Sequence, residues 1–250
     1  MQIMKLLLFW SLAAGTLGCS EEAAKPDDAG ADASAKVDAS QDGSGGDANN
    51  STELGALWKP SAVGEAETTR LCDGVEDPDA LKDKIRVDCQ LEGELLAPDL
   101  PDAPTALVVH SWNVERGYNV DEQIGWLQNR ADSPLPDVLL LTEADRGCKR
   151  TGYRNVTRDI AKALKMNYAY AVEFVELGGG KPENSADCEH GNALLSRWPM
   201  RDVIQLRHAS QESWWPSRLG GRVAVAATIV TATGPVRVWA LHLESHLSQK

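Results

Sequence analysis

The chain has no apolar run long enough to cross a bilayer, no CxxC pair, no internal repeat and no strongly basic region. The stretch from Leu6 to Leu17 spans about 12 residues, whereas a membrane-crossing helix needs about 20, so it is not a transmembrane anchor. Without CxxC or a comparable ligand spacing, a structural zinc site is excluded. The net charge of −12 gives no general attraction to nucleic acid.

What the N-terminus does carry is an export pattern. Lys5 precedes the short apolar stretch, and Thr16-Leu17-Gly18-Cys19 reads as a lipoprotein cleavage box, although Thr16 stands where Leu is usual. Cys19 would then bear lipid and hold the chain at one point of a membrane. This predicts a leader over 1–18 and a bacterial membrane-anchored product facing the periplasm or cell surface. Residues 19–53 are built from Asp, Ala, Ser, Gly and Asn with almost no large apolar side chain. Such a segment cannot offset the entropy of ordering and is expected to be a disordered tether. Residues 54–105 read as a loop-rich lead-in ending in the Pro-rich APDLPDAPT.

The acidity is unevenly shared. Ser20 to Glu53 and Leu54 to Thr105 each carry −7, whereas Ala106 to Lys250 carries +1. The overall charge therefore says nothing against a phosphate-bearing substrate for the last segment. Cys72, Cys89, Cys148 and Cys188 remain after Cys19, an even number in a chain marked for export. Two disulfides are expected, and pairing Cys72 with Cys89 and Cys148 with Cys188 closes a loop within each region.

From Ala106 onward the pattern becomes regular. Leu107–Trp112 and Asp137–Thr142 predict buried strands, and Asn119–Asn129 and Asn155–Lys165 predict helices. Strands then follow at Tyr168–Val175, Asn192–Ser196, Val203–Leu206, Val223–Val230 and Val236–Leu243, the last two joined by the hairpin turn Thr231–Gly234. Alternating strands and helices followed by a strand meander indicate an α/β layered sandwich with mixed sheets over 106–250.

Several polar groups stand where these apolar strands end. Asn113 and Glu115 follow the first run, Glu143 follows the second, and His242 closes the last. Alternation puts Asn113 and Glu115 on one strand face with Leu107, Val109 and Ser111, and Glu143 on a face with Leu139 and Leu141. A hard divalent cation takes few oxygen ligands from a protein and completes its shell with water or phosphate. A carboxylate with an amide oxygen suits it.

SWNVERG, DVLLLTEADRG, HGNALLSRWPM, GGRVAVA and VWALHLES occur in the order and rough spacing of the endonuclease/exonuclease/phosphatase superfamily. The chain resembles that family, which includes deoxyribonucleases of the pancreatic type, AP endonucleases, bacterial sphingomyelinases and inositol-polyphosphate phosphatases. The resemblance covers Ala106 to Lys250, about the first half of such a domain. It implies a metal-dependent phosphodiesterase or phosphatase using Mg2+, with Mn2+ or Ca2+ able to stand in. Asn113 and Glu143 take the family's metal-holding positions, and Glu115 an outer one where AP endonucleases have Asp. His242 takes the phosphate-contacting position. The implied substrate is a phosphate ester, either nucleic acid or phospholipid given export; no protein partner is implied. The alternative is a noncatalytic surface lipoprotein retaining only the scaffold.

Other residues read less sharply. His242 and His246 form HxxxH, but the strand pattern there removes the helical spacing that zinc would need. His190 and Asn192 match the family's GNALLSR segment, where Asn is structural. Arg146, Lys149, Arg150, Arg154 and Arg158 read as a solvated basic loop bordering the site, with substrate binding the alternative, and Trp214 and Trp215 sit in a polar loop, placed either to contact a lipid or base or to cover the core. The family's later G-D-x-N segment and terminal Asp-His pair do not follow HLES; Gly46-Asp47-Ala48-Asn49 fits the letters but lies in the tether. The chain is therefore expected to be part of a longer protein, truncated at its C-terminus, inactive alone, and to leave strand edges and apolar surface uncovered.

Overall fold

The structure, a computed structural model, describes residues 55–60, 71–72, 89–99, 102–129, 131, 134–178, 186–208 and 213–243. The expected leader, the tether and His246 lie outside the described residues.

The elements follow in the order β1 (Glu92–Glu94), β2 (Val109–Arg116), α1 (Val120–Asn129), β3 (Val138–Arg146), α2 (Val156–Leu164), β4 (Asn167–Leu177), β5 (Ala186–Ser196), β6 (Met200–Arg207), β7 (Arg218–Gly220), β8 (Val223–Thr231) and β9 (Gly234–Leu241). The fold is α/β, with helices and two sheets in layers. A mixed sheet runs β1-β4-β5-β3-β2, with β7 also pairing to β4, and a three-stranded sheet runs β6-β8-β9. Among the described residues only β2 and β3 pair in parallel, as a helical crossover through α1 allows; the other pairings are antiparallel.

Each helix is set by its sequence. In α1, Val120, Ile124 and Leu127 recur at helical spacing on the packed side, and Asp121 and Glu122 sit favourably in the first turn. Asn155 caps α2 by accepting the Arg158 N–H at 3.0 Å. Val156, Ile160 and Ala161 then pack against Leu139, Leu141, Tyr168, Tyr170 and Leu195 on one face of the large sheet. On its other face, Val138, Ala169, Ala171 and Leu194 meet Met200, Val223, Val225, Ala227 and Ile229 of the small sheet.

Parts of the lead-in join this core. β1 pairs along β4, and the buried Arg146 guanidinium binds both Glu92 and Glu189. Glu189 also accepts the backbone N–H groups of Leu71 at 2.6 Å and Cys72 at 3.2 Å. Tyr168 donates to Glu92 at 2.6 Å, so these buried charges have the partners burial demands. Both expected disulfides, Cys72–Cys89 and Cys148–Cys188, are formed. The outward face of the small sheet exposes Ile204 and Leu206 across from Trp239 and Leu241, with Ala226 and Ala224 between them.

Candidate functional site

Regular pairing would keep Asn113 and Glu143 apart. From Val109↔Val138 to Asn113↔Thr142 the parallel ladder is even, which places Thr142 beside Asn113 and would send Glu143 to the helix-covered face. The ladder then slips. Pairing resumes at Arg116↔Ala144, with one extra residue in β2, and against β5 it skips from Leu141↔Ala193 to Ala144↔Gly191, with one extra in β3. These are bulges, and Glu115, Arg116 and Glu143 occupy them with φ of 47°, 65° and 58°. None is glycine, so each holds a conformation that costs about 1–3 kcal/mol and that the surroundings must impose.

The slip changes which side chains face inward. Ala144 takes the helix-facing place that continues Leu139 and Leu141. Glu143 is turned to Asn113, whose amide NH2 donates to Glu143 Oε1 at 3.0 Å. The expected alternation of Glu143 with Leu139 and Leu141 is thus broken by the bulge. Asn113 is itself oriented by the Glu115 backbone N–H, which donates to its Oδ1 at 2.9 Å. Glu115 therefore reaches Asn113 through its backbone, while its side chain is exposed. The guanidinium of Arg116 stands 3.5 Å from Glu143 Oε2.

The small sheet supplies the facing side. The pair Ala224↔Leu241 sets the starts of β8 and the end of β9 together, so Arg222 and His242 are neighbours. His242 Nε2 lies 3.9 Å from Glu143 Oε1, beyond hydrogen-bonding distance. Its Nδ1 is 3.1 Å from an Arg222 guanidinium nitrogen, which is also 3.3 Å from Glu173 Oε2.

An open cavity of about 480 Å³ joins these groups, lined by Arg116, Glu143 and His242 and, further along, by Arg150, Glu176, His190, Trp214, Arg218 and Arg222. His190 Nδ1 is 2.8 Å from Asp145 Oδ1, and Arg150 grips the same carboxylate at 2.6 and 2.8 Å. Gly191 follows because β4 runs close behind: a Cβ there would meet the Ala171 carbonyl oxygen at 2.1 Å. Asn192 is structural, donating to Glu173 at 3.3 Å and to the Val223 carbonyl at 2.8 Å.

Partial burial pushes the Glu143 carboxyl up, but the Asn113 hydrogen bond and the fields of His190, Arg116 and His242 outweigh it, leaving it below its ordinary value. Burial likewise opposes ionisation of Asp145, and the Arg150 and His190 contacts overcome it. At Glu173 burial prevails over Arg222, His190 and Asn192, and the carboxyl is raised.

Three of the four residues expected at the site, Asn113, Glu143 and His242, are brought together. Among the described residues no group of three or more His, Cys, Asp or Glu converges as a metal-ligand cluster. That donor set does not suit Zn2+. It fits Mg2+, which is content with one carboxylate plus water and substrate oxygens. Each Glu143 oxygen keeps a lone pair beyond its present contact.

Reasoning from sequence missed most of the cavity wall. Arg116, Arg218, Arg222 and Glu176 carry no local signal, since their partners are remote in the chain, whereas Asp145 pairs with Arg150 of the nearby basic run. Lys149 of the basic run after Glu143 is exposed as expected, but the arginines of that run are paired and not solvated. Arg146 binds Glu92 and Glu189, Arg150 binds Asp145 and Glu176, Arg154 binds Asp121 and Asp159, and Arg158 binds Glu94. Trp214 packs edge-on against Phe174 at 5.7 Å on the cavity wall, whereas Trp215 packs on the core.

No family model matches the chain, and no curated protein matches it. An endonuclease/exonuclease/phosphatase from Beutenbergia cavernae is similar in fold, at 19% identity and a TM-score of 0.41, over 55% of this chain and 38% of its own. An endonuclease/exonuclease/phosphatase family protein from Leptotrichia buccalis is similar at 12% identity and a TM-score of 0.40, over 56% of this chain and 55% of its own. The chain thus spans 38% and 55% of the length of these two solved structures.

Proposed function

We propose that this chain carries the metal- and phosphate-holding side of a Mg2+-dependent phosphoesterase acting on phosphodiester or phosphomonoester bonds. The observation that carries the reading is the bulge at Glu143. A left-handed glutamate in a strand is retained at a cost in stability, and here it delivers a carboxylate to Asn113 and opposite His242. Glu143 is the direct ligand, Asn113 holds it in place, and Glu115 stands at the rim, where a contact through water is within its means. Mn2+ or Ca2+ would meet the same oxygens. The bound cation would offset negative charge that builds up on the phosphoryl oxygens. For its part, the chain positions the ester: His242 donates to a phosphoryl oxygen, and Arg116 places a positive charge beside it. Asp145 and Arg150 hold His190 in the wall of the same cavity.

The substrate we infer is an extracellular nucleic acid or phospholipid, because the N-terminal pattern marks the chain for export and lipid attachment at Cys19. The resemblance on five motifs supports the N-terminal half of such a catalytic domain. Hydrolysis of bis-p-nitrophenyl phosphate by the intact gene product, abolished by EDTA and by Glu143→Ala, is the expected result. Activity that survives Glu143→Ala unchanged would refute the metal assignment. Absence of hydrolysis on DNA, RNA, phospholipid and phosphoinositide alike would favour a noncatalytic surface lipoprotein.

A further inference from the structure

A guanidinium has only donors, so whatever it meets must accept. One terminal nitrogen of Arg222 carries two hydrogens and stands near two acceptors among the described residues, Glu173 Oε2 at 3.3 Å and His242 Nδ1 at 3.1 Å. One hydrogen can go to each. For His242 this has a strict corollary: Nδ1 must present its lone pair, so the ring proton sits on Nε2, the nitrogen nearer Glu143.

We propose that Arg222, anchored on buried Glu173, is a positioning residue that fixes His242 as the neutral Nε2–H tautomer. The identity of the ligand rests on the phosphoesterase reading; the tautomer does not. His242 then offers a phosphate ester a neutral N–H donor. It cannot accept a proton from an attacking water, because Nε2 is already protonated and the Nδ1 lone pair is engaged. The proton acceptor of the reaction must be another group.

Arg222 is held too firmly to swing away. Glu173 is fully buried, receives the Asn192 amide, and its backbone carbonyl accepts the Gly221 N–H at 2.9 Å. The Arg222 guanidinium also lies over the rings of Phe174 at 5.5 Å and Trp214 at 5.6 Å, which restricts it to one plane. Glu143 faces His242 from β3 with Arg116 behind it from β2, and Glu173 stands behind Arg222 from β4.

Long-range 1H–15N spectra of the 15N-histidine-labelled full chain at about pH 8, above the ordinary histidine range, test this directly. Signals lost in His242→Gln identify the ring. The expected pattern is an acceptor Nδ1 and a protonated Nε2 with separate, unaveraged shifts. Arg222→Met should average them, and Arg222→Lys, which retains a donor, should restore part of the separation. A wild-type His242 protonated at Nδ1, or already averaged, overturns the proposal even if neither variant folds. Inorganic phosphate with Mg2+ is then titrated in, and Arg222→Met should weaken it about tenfold, the worth of one hydrogen bond to a charged group. A fixed tautomer in a wild-type chain that binds no phosphate would uphold the positioning role and sink the phosphoesterase reading.

Discussion

Replacing Glu143 by glycine and by alanine separates backbone strain from chemistry. At an ordinary strand position glycine is less stable than alanine by about 0.5–1 kcal/mol, through the larger entropy it loses on folding. At a φ of 58° the order reverses, because a Cβ in the left-handed region costs about 1–2 kcal/mol. The difference leaves Glu143→Gly more stable than Glu143→Ala by about 0.5–1 kcal/mol. Both variants lose the Asn113 hydrogen bond, about 1 kcal/mol at a half-buried site, and the 3.5 Å contact with Arg116, which is worth little because it is partly exposed. Alanine should therefore fall clearly below the wild type and glycine should come close to it, while neither supports hydrolysis. Urea midpoints at neutral pH with equal slopes measure the gap, which corresponds to about 1–4 °C in Tm. An alanine variant as stable as the glycine variant would refute the claim that the strand is strained at Glu143.

Two other outcomes follow from groups around the site. Asp145→Asn should destabilise the fold by about 3 kcal/mol, the low end for breaking a buried pair, since Arg150 loses its two-pronged partner but keeps Glu176. The Asp145 carboxyl is lowered from its ordinary 3.8, so its contribution is present above that value and lost as pH falls through the folded one. The gap between wild type and variant should accordingly close in acid, as followed by unfolding at stepped pH; a gap independent of pH would contradict the pairing. Cys19→Ser should move the full chain from the membrane to the soluble fraction on cell fractionation, and a variant that still pellets with membranes would remove the lipid anchor from the reading.

The strand and helix order was legible because the apolar periods change from two to three and four residues at the right places. The helices at Val120–Asn129 and Val156–Leu164 fall within one residue of the spans their caps and periods predict. Asn113, Glu143 and His242 were legible as polar groups ending apolar runs. The bulge that unites the first two was not, since the left-handed residue is a glutamate, a type that does not announce such a backbone. Nor was β1: three residues reading Glu-Gly-Glu have no apolar period, and it is the ladder to β4 with the contacts of Glu92 to Arg146, Asn155 and Tyr168 that explains a strand there. Arg150 and Arg222 look like solvent-facing charges until Asp145, Glu176 and Glu173 are folded beside them.

Past the bulge, β3 and β5 are joined by three successive crossings: Asp145 to His190, Arg146 to Glu189, and the Cys148–Cys188 bond. Strand ends ordinarily fray, opening and closing far more often than the sheet as a whole. This end is closed by a covalent bond outside a buried ion pair and a buried hydrogen bond, so its amides can exchange with solvent only when much of the sheet opens. The cavity wall bearing His190 and Arg150 thereby gains the permanence of mid-strand positions while standing at the ends of two interior strands. A reducing compartment would return that end to fraying, and would loosen the wall before it unfolded the core.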